Sequence, residues 1–388
     1  MENFQFCIGT NILFGKGQIT RLSEVVKPYG KRILLTYGGG SIKRIGLYEK
    51  VRELLSDCEV YELNGIEPNP RLASVEAGVC ICKEHGIEVV LAVGGGSVID
   101  CSKAIAAAAV YEGSAWELIT SATPIQKALP LIAVPTMAAT GSEMDAGAVV
   151  SNPQTKEKRS FFSPHILPKA SILDPIYTFT VSAYQTASGT ADILSHLLEQ
   201  YFSAKTTFMS DLMVESVMKT VIRYASIAIA EPDNYEARAQ LLWASNIADN
   251  AMLCCGNKLC VFGVHAMEHE LSAYYDIPHG VGLAILTPRW MRYVLQKSPE
   301  VVTPRFAHFA RAVWSVEETD DTIVARQGIE MTEHFLRNLG IQAKLTEVGI
   351  GTEHFEAMAE HCVATESVGY AWIPLDKDDI IRIFTMSL

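Results

Sequence analysis

The chain has 388 residues, a length typical of two domains of roughly 100–200 residues each. Apolar residues make up 49% and charged residues 20%, so the sequence can bury substantial cores. The 32 basic and 44 acidic residues leave a net charge of −12, which argues against nucleic acid as a partner because a phosphate backbone would be repelled. Since no apolar run approaches the ~20 residues that span a bilayer, we expect no membrane partner either.

The cysteine pattern indicates a reducing compartment. The nine cysteines are an odd number and contain no Cys-x-x-Cys pair, so they are more typical of free buried thiols than of a disulfide framework. The first ten residues show no basic segment followed by an apolar stretch, and no signal peptide is predicted. We therefore expect a cytoplasmic protein.

Residues 1–180 alternate short apolar runs with helical patterns. The runs at 33–37, 60–63, 89–93 and 131–134 read as strands, and stretches of helical spacing lie between them. Continuous apolar strands suit a sheet that is covered on both faces, and the alternation favours a parallel, doubly wound sheet. This part is predicted to be an α/β domain.

Residues 181–388 have a different character, because strands are hard to find and long helical patterns dominate. Such patterns cover 194–202, 212–229, 237–253 and 323–339, with proline and glycine between them. We therefore predict a second, all-α domain that begins near residue 181.

Two of the predicted strands end in Gly-Gly-Gly-Ser, at residues 38–41 and 94–97. Such a loop lets the backbone approach a phosphate, while the next helix offers free N–H groups. The second loop is the stronger candidate, because Ser97 can cap the following helix and Asp100 lies in its first turn. Neither loop is G-x-G-x-x-G or a Walker motif, and either alone could be an ordinary tight turn. The two together favour a bound pyrophosphate, and residues 138–143 add a weaker third candidate.

Four histidines and one aspartate stand out in apolar helical surroundings. Asp192 and His196 form an i,i+4 pair, His265 and His269 form another, and His279 lies at a predicted helix end. A buried aspartate beside a histidine is costly unless it is paired, and a divalent cation would satisfy both. Each residue alone could be a hydrogen-bonded core side chain, and spacing does not decide which of them bind. As a set they favour a mononuclear site that suits Fe(II) or Zn(II).

The metalloprotease interpretation of the second pair is poor. The sequence His265-Ala-Met-Glu-His269 places the glutamate outside the H-E-x-x-H position, where a general base would be needed.

Further motifs recur in order along the whole chain, at residues 11–17, 38–43, 65–71, 94–100, 139–143, 189–192, 267–271 and 276–282. Through these motifs the sequence resembles the iron-containing (group III) alcohol dehydrogenase family, and within that family the butanol dehydrogenase-like branch. The resemblance implies a dehydroquinate synthase-like fold, α/β plus all-α. An N-terminal parallel-sheet domain, 1–180, would bind NAD(P), and a helical domain, 181–388, would bind the metal. The active site would lie in the cleft between them.

The resemblance also implies site residues. The metal ligands would be Asp192, His196, His265 and His279, with Fe2+ expected and Zn2+ as the alternative. His269 would be a non-ligand that lines the substrate pocket. The implied nucleotide-contacting residues are Gly39, Gly40, Ser41, Asn69, Gly95, Gly96, Ser97, Asp100, Thr136, Thr140, Asp145, Lys158 and Tyr177.

The first glycine loop bears on the choice of cofactor. Members of the family that prefer NAD tend to carry an aspartate just past this strand, whereas this chain has Gly39, Gly40 and Ser41, with Lys43 close by. A glycine loop with a serine hydroxyl can accept a 2′-phosphate. We therefore predict a preference for NADP(H), with NAD(H) as a second cofactor.

The implied reaction is hydride transfer between the nicotinamide and small to medium primary alcohols or aldehydes such as butanol and butanal. The metal would act as a Lewis acid, and His269 would relay a proton or only orient the substrate. The alternatives are a glycerol dehydrogenase-like polyol oxidoreductase on the same fold, and a nucleotide-sensing protein without catalysis. The latter would predict a missing ligand, but all four positions are filled. Since residues 4–14 can form edge strands, we expect a homodimer.

Overall fold

The computed structural model describes residues 1–258 and 260–388. Their contacts divide the chain into two compact units, neither of which is continuous in sequence. The α/β unit consists of Cys7–Val181 and Glu231–Asn250, and the helical unit of Met1–Phe6, Ser182–Ala230 and Ala251–Leu388. Within the described ranges, no helix is both long and apolar enough to cross a membrane.

The α/β unit is built around a six-stranded sheet and a separate hairpin. In chain order the strands are β1 (Asn11–Phe14), β2 (Arg32–Thr36), β3 (Glu59–Leu63), β4 (Val89–Gly94), β5 (Leu131–Pro135), β6 (Gly147–Asn152), β7 (Glu157–Phe162) and β8 (Ala170–Leu173). The sheet has the order β1-β8-β5-β4-β2-β3 with every neighbouring pair parallel, and β6 pairs with β7 in antiparallel register.

The helices are named in chain order. They are α1 (Leu22–Val26), α2 (Ser41–Arg44), α3 (Leu47–Leu54), α4 (Leu72–His85), α5 (Gly96–Ala108), α6 (Ala115–Thr120), α7 (Ala183–Tyr201), α8 (Phe208–Ala230), α9 (Tyr235–Ala248), α10 (Gly263–Tyr275), α11 (His279–Lys297), α12 (Pro299–Trp314), α13 (Asp321–Asn338), α14 (Phe355–Thr365) and α15 (Lys377–Met386).

The central strands bury side chains on both faces, because alternate residues of a strand point to opposite sides. On β2, Ile33 and Leu35 enter one hydrophobic core and Leu34 enters the other, and all three are fully buried. Every residue of β4 is buried as well, which explains its unbroken apolar sequence. The prediction of an α/β part with a doubly covered parallel sheet, followed by a largely helical part, is confirmed.

In the helical unit, α7 is a mostly buried helix in contact with α8, α10 and α11. It starts earlier than the apolar pattern at residue 194 indicated, because Ser182 caps it by accepting a hydrogen bond from the backbone N–H of Gln185. The helix predicted at 237–253 ends at Ala248 and belongs to the α/β unit as α9.

Candidate active site

Three helices of the helical unit bring the four predicted metal ligands together. Asp192 and His196 lie one turn apart on α7, His265 lies on α10, and His279 is the first residue of α11. The Oδ1 atom of Asp192 is 3.7 Å from Nε2 of His196 and 3.6 Å from Nε2 of both His265 and His279. Ligand atoms around a tetrahedral zinc ion lie about 3.4 Å apart, a closely similar spacing. The ligand atoms of Asp192, His265 and His279 all lie within 4.8 Å of one another, and His196 borders this group through Asp192.

The chemistry of these groups fits a metal ion. Asp192 Oδ1 and His265 Nε2 are buried and have no hydrogen-bond partner among the described residues. Leaving a buried polar atom unsatisfied costs about 1–3 kcal/mol, and a cation between them would satisfy both atoms. One carboxylate with three imidazoles is a donor set that suits Fe(II) or Zn(II).

The pKa shifts in the cluster show how strongly its charges interact. Burial alone would raise the pKa of Asp192, but the neighbouring imidazoles, His196 foremost, hold it well below its usual range. Burial lowers the pKa of His196 to about 4, which keeps that ring neutral and able to bind a metal. Burial would also lower the pKa of His265, yet Glu199 and Asp192 raise it to about 10. The carboxylates of Glu199 and Asp192 thus favour a positive charge on or next to His265.

Two buried glutamates that the sequence patterns did not predict contact the Nδ1 atoms of two of the predicted ligand histidines. Glu199 Oε1 lies 2.5 Å from Nδ1 of His265, and Glu268 Oε2 is hydrogen-bonded to Nδ1 of His279. Glu199 is 4% exposed and Glu268 is fully buried. A signal for both existed, since each is a charged residue within a largely apolar helix that carries predicted ligands.

His269 lies beside the cluster rather than within the set of four. Its ring centroid is 5.7 Å from that of His279, and its Nδ1 atom is 3.8 Å from a carboxylate oxygen of Glu366. The ring of Phe262 stands edge-on to both His196 and His265, which puts an apolar surface next to the ligands. The surroundings of the cluster thus combine one additional imidazole with an apolar wall.

A close backbone contact sets the position of α11. A Cβ atom on Gly280 would lie only 1.9 Å from the backbone oxygen of Ser188 on α7. Since glycine alone fits there, the start of α11 rests directly on the main chain of α7. The adjacent residue, His279, is therefore held near Asp192 by the main chain.

In the α/β unit, both Gly-Gly-Gly-Ser loops lie at the carboxyl ends of neighbouring strands. From β2 the chain continues to β3, towards one edge of the sheet. From β4 it continues to β5, towards the opposite edge. Open α/β sheets bind ligands at such a reversal of strand order. The loops are in direct proximity, because a Cβ on Gly38 would lie 3.8 Å from the side chain of Val98.

Five of the predicted nucleotide contacts lie in or beside the second loop. Gly95 precedes α5, and Gly96 and Ser97 form its first turn. Thr140 packs over this turn, since a Cβ on Gly96 would be 2.5 Å from its hydroxyl oxygen. Thr136 follows the end of β5 and donates its backbone N–H to the carbonyl of Gly94.

The carboxylates of Asp100 and Asp145 are occupied by groups of the chain itself. Asp100 accepts hydrogen bonds from the Ser142 hydroxyl at 2.5 Å and the Val149 N–H at 3.0 Å. Asp145 accepts from the ammonium of the fully buried Lys103 at 2.9 Å. These contacts hold the loop after β5 against α5, so both residues support the loops in this structure, and direct contact with a nucleotide stays a prediction.

The remaining predicted contacts come from three other segments. Asn69 is buried in a left-handed conformation, and the adjacent Pro70 accepts a backbone hydrogen bond from Ser151 of β6. Lys158 is buried on β7, opposite Ser151 in the hairpin. Tyr177 follows β8, and burial raises its pKa to about 12. The structure thus brings Asn69 and Lys158 to one hairpin and Tyr177 to the end of another strand.

The first loop exposes Gly39 and Ser41, and Gly40 adopts a left-handed conformation with φ of 94° at the start of α2. The ammonium of Lys43 lies over the rings of Tyr37 and Tyr48, at 5.2 and 4.7 Å from their centroids. Lys43 is therefore held by aromatic rings beside the loop.

The sequence matches two family models, "Iron-containing alcohol dehydrogenase" over residues 9–175 and "Fe-containing alcohol dehydrogenase family, C-terminal" over residues 186–388. The chain belongs to the iron-containing alcohol dehydrogenase family. It is 46% identical over the full length of both chains to NADH-dependent butanol dehydrogenase B of Clostridium acetobutylicum, and 35% identical over 92% of both chains to an NADPH-dependent aldehyde reductase of Escherichia coli.

Among solved structures, the crystal structure of NADH-dependent butanol dehydrogenase A from Thermotoga maritima superimposes with a TM-score of 0.95 at 37% identity, covering 100% of this chain and 99% of that one. The predicted family is confirmed. The protein is an iron-containing alcohol dehydrogenase, an oxidoreductase for alcohols and aldehydes that uses a nicotinamide nucleotide.

Proposed function

We propose that this iron-containing alcohol dehydrogenase reduces small to medium primary aldehydes such as butanal with NADPH, and oxidises the corresponding alcohols in reverse. In the forward direction a hydride passes from C4 of the nicotinamide to the carbonyl carbon, and a proton is added to the carbonyl oxygen. The observation that supports the proposal best is the convergence of one carboxylate and three imidazoles in a chain of this family.

Asp192, His196, His265 and His279 would hold the metal, Fe2+ in preference to Zn2+. When bound, the metal supplies a Lewis acid that polarises the carbonyl oxygen. The apolar ring of Phe262 suits the alkyl chain of an aldehyde and helps to exclude water from the reacting groups.

His269 is proposed to relay a proton between solvent and the product oxygen, and its Nδ1 atom lies 3.8 Å from a carboxylate oxygen of Glu366. The competing role is orientation of the substrate only. A His269→Ala variant assayed across pH separates the two, because loss of a proton relay changes the pH dependence of kcat, whereas loss of orientation lowers kcat without changing its pH dependence.

The α/β unit is proposed to be the nucleotide-binding domain and the helical unit the metal-binding domain. The pyrophosphate would rest on the backbone of residues 95–97, at the reversal of strand order. The exposed Ser41 and the absence of a carboxylate at residues 39–41 support the preference for NADP(H).

The decisive experiment uses the purified protein loaded anaerobically with Fe2+ and supplied with butanal and NADPH. We expect oxidation of NADPH that depends on the metal and proceeds faster than with NADH. Glycerol and 1,3-propanediol, assayed in the oxidative direction, test the polyol alternative. Failure to oxidise either nucleotide with any of several aldehydes would refute the proposal.

We also propose a homodimer in a reducing compartment such as the cytoplasm. Strand β1 is an edge strand that is bonded only to β8 within the described part of the chain, which leaves one side open for a second copy. All nine cysteines are free thiols. Light scattering coupled to size-exclusion chromatography tests the dimer, and a monomeric mass at micromolar concentration would exclude it.

A further inference from the structure

The buried glutamates Glu199 and Glu268 connect the three helices that carry the proposed metal ligands. Glu199 lies on α7 and contacts His265 on α10, while Glu268 lies on α10 and contacts His279 on α11. Each contact is to an Nδ1 atom, whereas the Nε2 atom of the same ring points to Asp192. A carboxylate at Nδ1 keeps the proton there and leaves Nε2 as the electron-pair donor.

Both carboxylates are themselves held in place. The Oε2 atom of Glu199 accepts the backbone N–H of Val264 at 2.7 Å, so it also caps the start of α10, and its Oε1 atom accepts the hydroxyl of Ser195 at 3.0 Å. The Oε1 atom of Glu268 accepts the hydroxyl of Ser272. Neither carboxylate can rotate away without breaking a second hydrogen bond.

We propose that Glu199 and Glu268 are positioning residues that fix the tautomer and orientation of His265 and His279 and thereby set the affinity of the site for its metal. The inference rests on the proposed metal site, but it concerns binding and does not require turnover. Such carboxylate partners of ligand histidines typically contribute 10–100-fold to metal affinity.

The best test is Glu268→Gln. The amide oxygen still accepts from His279 and the amide nitrogen can donate to Ser272, so the hydrogen-bond pattern survives and only the charge is lost. Glu270→Gln is the matched control, since Glu270 is also buried on α10 but pairs with His361. Glu199→Gln would change more than the charge, because an amide nitrogen cannot accept the hydrogen bond that Val264 N–H donates to Oε2.

The measurement is a titration of the metal-stripped, full-length protein with Co2+ in competition with a chromophoric chelator, together with the visible spectrum of bound Co2+. We expect Glu268→Gln to bind Co2+ about 10- to 100-fold more weakly and with altered visible bands, while its circular dichroism stays that of the wild type. The Glu270→Gln control should keep the wild-type affinity within about twofold and an unchanged spectrum.

Wild-type affinity and bands in Glu268→Gln would overturn the inference, as would an equal loss in the control. If Glu268→Gln does not fold, Ser272→Ala decides in its place, because it keeps the carboxylate but removes the hydroxyl that orients it. A several-fold weaker affinity with shifted bands would then support the inference, and wild-type values would overturn it. If no loaded variant, wild type included, reduces aldehydes, the proposed activity fails while the ranking of affinities still decides the inference.

Discussion

The two units bury carboxyl groups in opposite ways. In the helical unit, Asp192 is surrounded by imidazoles that hold its pKa well below the usual range, so it stays ionised and needs a positive partner. In the α/β unit, burial raises the pKa of Glu143 to about 7, and its side-chain partner there is the neutral amide of Asn246 at 2.8 Å. The surroundings of Asp192 stabilise its ionised form, whereas those of Glu143 stabilise its protonated form. The contrast shows that burial alone does not determine the charge of a carboxyl group, because its neighbours decide the sign of the shift.

The largest expected effect is that of His265→Ala, which removes one imidazole from around Asp192. We expect metal to be lost and kcat/KM to fall by at least about a thousandfold, because polarisation of the carbonyl is worth several kcal/mol. The checks are metal analysis and aldehyde-dependent oxidation of NADPH. His308→Ala is the control, since His308 is largely exposed and pairs with Glu215. Retained activity would remove His265 from the ligand set.

Removing the metal tests whether the helical unit needs a cation. At a free metal concentration 1,000 times Kd, the ion should stabilise the folded protein by about 4 kcal/mol. Urea unfolding with Zn2+ and then with excess chelator measures this difference. An Asp192→Asn variant, which keeps only the three imidazoles, should show a smaller difference between the two conditions than the wild type. Identical midpoints for the wild type would contradict a metal-dependent helical unit.

Glu143→Gln tests the opposite environment. The folded-state pKa of about 7 lies above the ordinary value of 4.5, so the stability contributed by the protonated group is present below pH 4.5 and is lost as pH rises through 7. The glutamine variant should therefore exceed the wild type by up to about 3 kcal/mol at pH 8 and match it at pH 4. Urea unfolding across this range is the measurement, with the exposed Glu76→Gln as control. A constant difference at all pH values would argue against a neutral Glu143.

Gly39→Asp has the smallest expected effect. It places a carboxylate in the first glycine loop, residues 38–41, which has none. A carboxylate at this position should repel a 2′-phosphate and accept a hydrogen bond from a ribose 2′-hydroxyl. We expect the ratio of kcat/KM for NADPH over NADH to fall about tenfold, equivalent to about 1.4 kcal/mol. Gly39→Ala is the matched control, because a Cβ at this position meets nothing within 4 Å. An unchanged ratio in the aspartate variant would remove this loop from cofactor selection.

The features that could be predicted best from the sequence are those encoded by local patterns, above all the central strands of the sheet. The central strands β2, β4 and β5 are apolar runs, so their positions could be predicted. Glycine loops follow β2 and β4, and phosphate binding by these loops stays a prediction. The hairpin of β6 and β7 was missed, because strand β7 is largely polar. The pairing of Asp192 with His265 needed the family resemblance, since helix spacing connects only residues within one or two turns.

The contacts of Glu199 with His265 and of Glu268 with His279 could not be predicted from local patterns or from the family resemblance. Glu199 contacts a histidine 66 positions later in the chain, and the contact depends on how α7 packs against α10. The hydrogen bonds that Asp100 accepts from Ser142 and Val149 could not be predicted either, because they depend on how the loop after β5 folds back onto α5. Long-range packing, rather than local propensity, determines which polar groups meet in a buried site.

The glycine at position 280 limits how the proposed metal site can vary. With no room for even a methyl group between α11 and the carbonyl of Ser188, the distance between these two helices is fixed by main-chain atoms. A ligand lost from one helix therefore cannot be replaced by sliding its neighbour inward, and repair would require a new donor side chain of suitable length on the same backbone.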